Sequence, residues 1–144
     1  MLPLYVDTSA LVKFYYPEVD SKKIEELILK APRIIISNLS IVEMASALSK
    51  KVRTGELESH KESLVWNCFQ DDLHANQVEM VALDERHYSK AADLIRTFGK
   101  EYGIKTLDSL HLAIAHNLPG AVFLCSDKIL TKLAKKLGIK TAPK

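Results

Sequence analysis

Short runs of β-branched and other apolar residues alternate with longer stretches whose apolar positions recur at helical spacing, and no other feature constrains the fold as much. Leu2 to Val6 reads as a strand. A helix is expected around Ser21 to Lys30, and a strand over Arg33 to Ser37 after Pro32. Leu39 to Val52 is a helix whose Ile41, Met44, Ala45, Leu48 and Val52 share one face. An amphipathic helix over Leu57 to Leu73 and a strand over Val78 to Leu83 follow. Next come a helix from Glu85 to Phe98 capped by Asp84, and a helix from Leu107 to Leu118 stopped by Pro119 and Gly120. Ala121 to Cys125 is a strand, Lys128 to Leu137 a last helix ended by Gly138, and Ile139 to Ala142 a short edge strand. Parallel neighbours need crossover connections, normally right-handed, and the helices supply them. The expected fold class is therefore α/β: a three-layer sandwich with a mainly parallel, about five-stranded sheet and helices on both faces. Sites in such sheets lie at the carboxyl ends of the strands.

Composition narrows the function. With 144 residues, 47% of them hydrophobic, the chain reads as one domain over residues 1–144 whose core needs neither disulfides nor a structural metal. Cys68 and Cys125 form no CxxC pair and fall in a predicted helix and a predicted buried strand, so both are read as reduced core thiols. No segment approaches the roughly 20 apolar residues of a membrane helix, and the first residues lack a basic stretch; a soluble, cytoplasmic protein without membrane contact is expected. Net charge is only +2, far from the balance of a protein that holds nucleic acid by charge alone. The charge is unevenly spread: Lys128 to Lys144 carries six lysines and no acid, whereas Asp71 to Asp93 carries six acids, Arg86 and Lys90.

Four acids stand apart from this mixed-charge background. Asp7 is the only charged residue among the first 12, and Glu43 the only one from Leu39 to Ser49. The 18 residues between Asp108 and Asp127 contain no Asp, Glu, Lys or Arg. Each is predicted at a strand-to-helix junction or in a first helical turn, which places all four on the carboxyl edge of the sheet. Two carboxylates about 4 Å apart repel by about 4 kcal/mol at an effective dielectric of about 20, so an acidic cluster in an apolar rim calls for protonation or a bound cation. All-oxygen ligation favours Mg²⁺ or Mn²⁺ over zinc, and His111 and His116, five apart, are not a helical zinc pair. Carboxylates holding such an ion point to phosphate chemistry. The competing reading is plain helix capping: Ser40 and Glu43 have capping-box spacing, and Asp108 and Asp127 suit helix N-termini.

The residues around these acids carry a resemblance. Val6, Asp7, Thr8, Ser9, Ala10, Leu11, Val12 and Lys13, then Ser40, Ile41, Val42 and Glu43, resemble the first motifs of the PIN-domain ribonucleases. Leu107, Asp108, Ser109, Leu110, His111, Leu112 and Ala113, then Ser126, Asp127, Lys128, Ile129 and Leu130, resemble the later ones. The motifs span nearly the whole chain in order, and its size most resembles the VapC-type toxins of prokaryotic toxin-antitoxin pairs. The resemblance implies a five-stranded parallel sheet, an acidic pocket for Mg²⁺ or Mn²⁺, and endonucleolytic hydrolysis of RNA by a metal-activated water. By position, Asp7, Glu43 and Asp108 become the core carboxylates and Asp127 the fourth, all four catalytic and metal-binding. The hydroxyl of Thr8 or Ser9 would support the pocket. Where the family often has Thr, two residues before the fourth acid, this chain has Cys125. The implied partners are an RNA substrate, a VapB-like antitoxin and a second copy in a homodimer.

Other features are read more plainly. His111, three residues after Asp108, is taken as a hydrogen-bonded packing residue outside the site, and Asp84 as a helix cap. Lys128, Lys132, Lys135 and Lys136 share a helical face that suits either an RNA backbone or solvent; Lys13 and Lys105 are possible phosphate contacts. Phe14, Tyr15, Tyr16 and Trp66 suit either base stacking or the core. Leu57, Leu64, Val65, Trp66, Phe69 and Leu73 suit a groove for an antitoxin or a homodimer seam. Two rival functions remain: a non-catalytic RNA-binding module of the same fold, and a phospho-acceptor receiver domain, for which Asp84 is the only candidate acceptor. An aspartyl phosphatase is disfavoured because Ser9 stands where a second acid is needed.

Overall fold

Short, mostly apolar strands hold their place when their faces are covered, and helices lie on both faces of this sheet. The computed structural model describes residues 2–142. In chain order the elements are β1 (Leu4–Val6), α1 (Thr8–Tyr15), α2 (Ser21–Lys30), β2 (Ile34–Ser37), α3 (Leu39–Arg53), α4 (Ser59–His74), β3 (Glu79–Val81), α5 (Glu85–Tyr102), α6 (Thr106–His116), β4 (Val122–Leu124) and α7 (Lys128–Lys136). The sheet order is β3-β2-β1-β4, with every pair parallel. Tyr5 stands opposite Ile35 and Phe123 in register.

Alternation along each strand divides the core into two layers. Leu4, Val6, Ile36 and Leu124 meet Leu11, Ile28, Met44, Leu48 and Phe69 from α1 to α4. Tyr5, Ile35 and Phe123 meet Leu94, Leu112, Ile114, Leu130 and Leu133 from α5 to α7. The three-layer α/β expectation therefore holds, while the strand count is four rather than five. Gly138 reverses the chain after α7 at φ +80°, and Ile139–Ala142 then reaches β4. Its backbone pairing there is one parallel bridge, Phe123 with Thr141, made by two hydrogen bonds, from Phe123 N–H to Lys140 and from Ala142 N–H to Phe123, too few to make a strand.

Other expectations are adjusted by packing. Two helices, not one, link β1 to β2: Asp7 caps the first, and the aromatic run ends it before Pro17. That run is core. Tyr15 packs on Phe69 at 5.3 Å and its hydroxyl donates to Asp72 at 2.5 Å, while Trp66 meets Phe69 at 5.8 Å. Of Leu57, Leu64, Val65, Trp66, Phe69 and Leu73, only Leu64 is exposed, so the segment is consumed by the core rather than left as a docking face. Cys68 lies on the outer face of α4 and is exposed, unlike the core thiol expected, whereas Cys125 is buried. On α7, Lys136 turns toward α5, its Nζ 5.6 Å from the Phe98 ring and 5.7 Å from Tyr102, which leaves Lys128, Lys132 and Lys135 as its outward basic residues. Among the described residues no helix is long and apolar enough to cross a membrane.

Leu112 is fully buried where α6 meets the sheet. Leu112→Ala is expected to cost about 2–5 kcal/mol of stability, read from the urea midpoint, because the layers on either side cannot collapse fully into the cavity.

Candidate active site

The edge where the strands end carries the site. β1 ends at Val6, and the extended backbone of Asp7 turns its carboxylate over the start of α1. Oδ1 accepts from the Ala10 backbone N–H at 3.1 Å and from the Ser9 hydroxyl at 2.7 Å; Oδ2 accepts from the Cys125 thiol at 3.2 Å. Asp7 is 5% exposed. Burial pushes its pKa upward, and the His111 charge and these three hydrogen bonds only partly offset that. It forms no salt bridge with a Lys or Arg among the described residues, so the carboxylate lacks a cation in direct contact.

Glu43 enters from α3, inside the helix rather than at its cap. Asn38 is the N-cap residue of α3, and no Ser40 to Glu43 capping box forms. Instead the buried Ser40 hydroxyl meets Thr8 Oγ1 at 2.9 Å, and Thr8 donates to Glu43 Oε1 at 2.7 Å. His111 Nε2 lies 2.6 Å from the same oxygen, and its Nδ1 lies 2.7 Å from the Tyr5 hydroxyl. With a proton on Nε2 the neutral ring donates to Glu43 and accepts from Tyr5 at Nδ1; a second proton, on Nδ1, makes the ring a cation with the Tyr5 oxygen as acceptor. Burial raises the Glu43 pKa, but the hydrogen bond and charge of His111, with Thr8, outweigh it and hold the carboxyl below its ordinary value.

The other two acids join the rim from helix starts. Asp127 caps α7, its Oδ1 accepting from Ile129 and Leu130 N–H groups at 2.9 and 3.1 Å. Its own N–H points at Cys125 Sγ at 3.3 Å, so the thiol bridges the Asp127 backbone and the Asp7 side chain. Asp108 is half-buried in the first turn of α6, one turn before His111, with Oδ2 accepting from Lys105 N–H at 3.2 Å. Hydrogen bonds thus join Asp7 to Asp127 through Cys125, and Glu43 to Thr8 and His111; Thr8 follows Asp7 in the chain, and Asp108 lies one turn before His111 on α6. The structure does not pack the carboxylates together: among the described residues no group of three His, Cys, Asp or Glu is arranged to hold an ion. The donor chemistry nevertheless fits a hard cation. The oxygens are carboxylates and hydroxyls, Asp7 is buried without a cationic partner, and Mg²⁺ is commonly held by one or two carboxylates, water and substrate phosphate rather than by a protein cage.

A groove opens from this rim. Its first part, about 580 Å³, runs from Thr8, Ser9 and Glu43 between apolar walls formed by Leu39, Val42 and Leu107. A second recess of about 380 Å³ shares Ser9, Val12, Ala47 and Lys50 with it and adds Lys13, Lys51 and Ser126. Lys13 is held by Asp20 at 2.7 Å, and Lys51 by Glu56 and Glu18, whereas Lys50 has no salt bridge among the described residues. Asp84 takes no part in these contacts: as expected it caps α5, and it binds Arg86, whose guanidinium pulls its pKa down to about 2.

Sequence reasoning missed His111 as a site residue, along with Tyr5 and Ser40. The available signal was the spacing of three from Asp108 to His111; nothing in the sequence pairs His111 with Glu43, 68 positions away.

Two changes report on this arrangement. Asp7→Asn removes an unpaired buried charge while retaining the cap, and is expected to raise the melting temperature at neutral pH in chelator. Thr8→Val removes the hydroxyl that joins Ser40 to Glu43 and is expected to cost about 1–3 kcal/mol in denaturant unfolding, because the Ser40 hydroxyl is left buried.

Comparison places this architecture. The description of the family model matching residues 4–136 is PIN domain. No curated protein matches the chain in sequence. Among solved structures, VapBC2 from Rickettsia felis bound to a promoter DNA fragment is similar, at 17% identity and TM-score 0.63, over 97% of this chain and 96% of that one. FitAcB from Neisseria gonorrhoeae shares 16% identity at TM-score 0.63, over 97% and 96%. A toxin-antitoxin complex from Klebsiella pneumoniae shares 14% identity at TM-score 0.52, over 86% of each chain. At these identities the likeness is one of fold. PIN domains are in general nucleases that use divalent metal ions. With its site at the carboxyl edge of a parallel sheet and a family match over nearly its full length, the chain belongs to the PIN domain family.

Proposed function

We propose that this protein is a metal-dependent endoribonuclease that hydrolyses RNA phosphodiester bonds, and that it is the toxin of a VapBC-type pair. The observation that carries the reading is Asp7: a carboxylate buried without a cation in contact, on the same rim as Glu43, Asp108 and Asp127. Asp7, Glu43 and Asp108, with Asp127 as fourth acid, are the residues that would hold a Mg²⁺ or Mn²⁺ ion, which when bound would supply Lewis-acid polarisation and a more acidic water.

The chain's own residues do the positioning. Ser9 and the Ala10 N–H fix one Asp7 oxygen, and Cys125 fixes the other. Thr8 and His111 both hold Glu43 Oε1, which orients Oε2 without using it. Lys50 stands along the groove, where it suits an RNA phosphate. In hydrolysis, water adds to phosphorus and the ester P–O bond to one ribose breaks, so no enzyme side chain becomes covalently attached.

The partner reading rests on the fold neighbours, whose names include a toxin-antitoxin complex, and on exposed apolar side chains beside the site. Val42 is 71% exposed and Leu107 43%. Such surface suits a VapB-like antitoxin or the second copy of a homodimer. A cytoplasmic location accords with this role. One observation favours a second reading, an RNA-binding member of the fold that does not cut: the described acids form no three-ligand group.

Cleavage of RNA with Mg²⁺, Mn²⁺ or chelator separates the two. Cutting is expected with either ion, none in excess EDTA, and a loss of more than about 100-fold in Asp7→Asn. Binding of RNA without cutting under both ions supports the second reading. Mn²⁺ is also expected to stabilise the wild type against heat, by about 2.7 kcal/mol at a concentration 100 times its dissociation constant, and to leave Asp7→Asn unmoved.

A further inference from the structure

Behind the Asp7 and Cys125 wall lies a recess that the reading above leaves without a role. Its volume is about 370 Å³, within the roughly 300–1,000 Å³ of small-molecule sites. Ile24 and Leu27 of α2 and Leu124 of β4 give it an apolar floor. Lys23 and Lys128 stand at its mouth, both exposed and neither with a salt-bridge partner among the described residues. The acid at the rim, Asp20, is engaged by Lys13 at 2.7 Å.

Two residues tie the recess to the site. Cys125 lines it and donates its thiol proton to Asp7 Oδ2 at 3.2 Å. Ser126 lines both it and the recess that contains Ser9, Lys13 and Lys50. A chain laid along the groove from Glu43 past Ser9 therefore arrives at Ser126 with this recess next in line. An apolar floor with two cations at the lip matches a nucleotide, which presents a flat, poorly hydrated base and a phosphate on one unit. It suits neither an acidic peptide, which has no use for the floor, nor a lipid tail, which has no use for the lysines.

We infer that this recess is a nucleotide subsite: the base of a ribonucleotide next to the cut phosphate packs on Ile24, Leu27 and Leu124, and its phosphate lies between Lys23 and Lys128. The inference rests on the nuclease reading for the direction of the strand, but the recess binds a nucleotide whether or not the edge cuts.

The test is a ¹H–¹⁵N NMR titration of the full chain with adenosine 5′-monophosphate and, separately, inorganic phosphate. The nucleotide is expected to move the amides of Ile24, Leu27, Leu124 and Ser126, and phosphate alone is not expected to move those of the floor. Leu27→Trp fills the recess and Lys23→Glu reverses its rim; each is expected to weaken nucleotide binding by at least about tenfold. Lys23 is exposed, so that variant remains informative if Leu27→Trp fails to fold. Shifts centred elsewhere, equal affinity in the folded variants, or the same floor shifts with phosphate alone overturn the subsite. An RNA cleavage assay run alongside keeps the two claims apart. A seated nucleotide without cleavage refutes the nuclease reading alone, and cleavage with an empty recess refutes the subsite alone.

Discussion

The hydrogen-bonded path from Tyr5 through His111, Glu43 and Thr8 to Ser40 holds the molecule's working edge together. It joins β1 and α1, neighbours in sequence, to α3 in one helical layer and α6 in the other. Each member is buried or half-buried, so a missing partner would leave a polar group stranded at a cost comparable to a large share of a domain's net stability. The sheet's upper edge is therefore fixed by polar pairing, where the rest of the core is fixed by apolar packing.

The two best-defined carboxylates are held in opposite electrostatic states. Glu43 has His111 and Thr8 and sits comfortably ionised; Asp7 has only neutral donors in contact and is pushed toward protonation by its burial. A site that balances one acid and leaves the other wanting positive charge is suited to a hard cation. Capping does not compete with this role. Asp7, Asp108 and Asp127 all accept backbone N–H groups at helix starts, and a carboxylate has lone pairs left after doing so. Cap and ligand are two uses of the same oxygens, so local capping spacing cannot decide between them.

Net positive charge is small, because 20 Lys and Arg face 18 Asp and Glu, so what matters is which lysines are left without an acid. Lys50 lies along the groove, while Lys23 and Lys128 guard the recess beyond Ser126. Other basic residues are spent on structure: Lys13 and Lys51 on acids, and Lys136 on two aromatic rings. Counting lysines would not have separated these groups. Their partners come from other elements, and only packing assigns them.

By itself the sequence determined the layer architecture, because strand and helix periods are local and strongly marked, and it singled out four acids at strand-to-helix junctions, because isolation from other charges is visible in one dimension. It overcounted the strands: the apolar run at Ile139 has the right composition, but pairing depends on how far the chain extends along β4. It also mistook Cys68 for core, since helical facing depends on which stripe of α4 the neighbours claim. Tertiary structure alone decided that His111 belongs with Glu43, that Ser40 serves Thr8 rather than a capping box, and that Cys125 takes hold of Asp7. Those contacts span from 32 to 118 positions. Hydrogen bonds reach only about 3 Å, and no local pattern records which distant donors the fold will bring within that range.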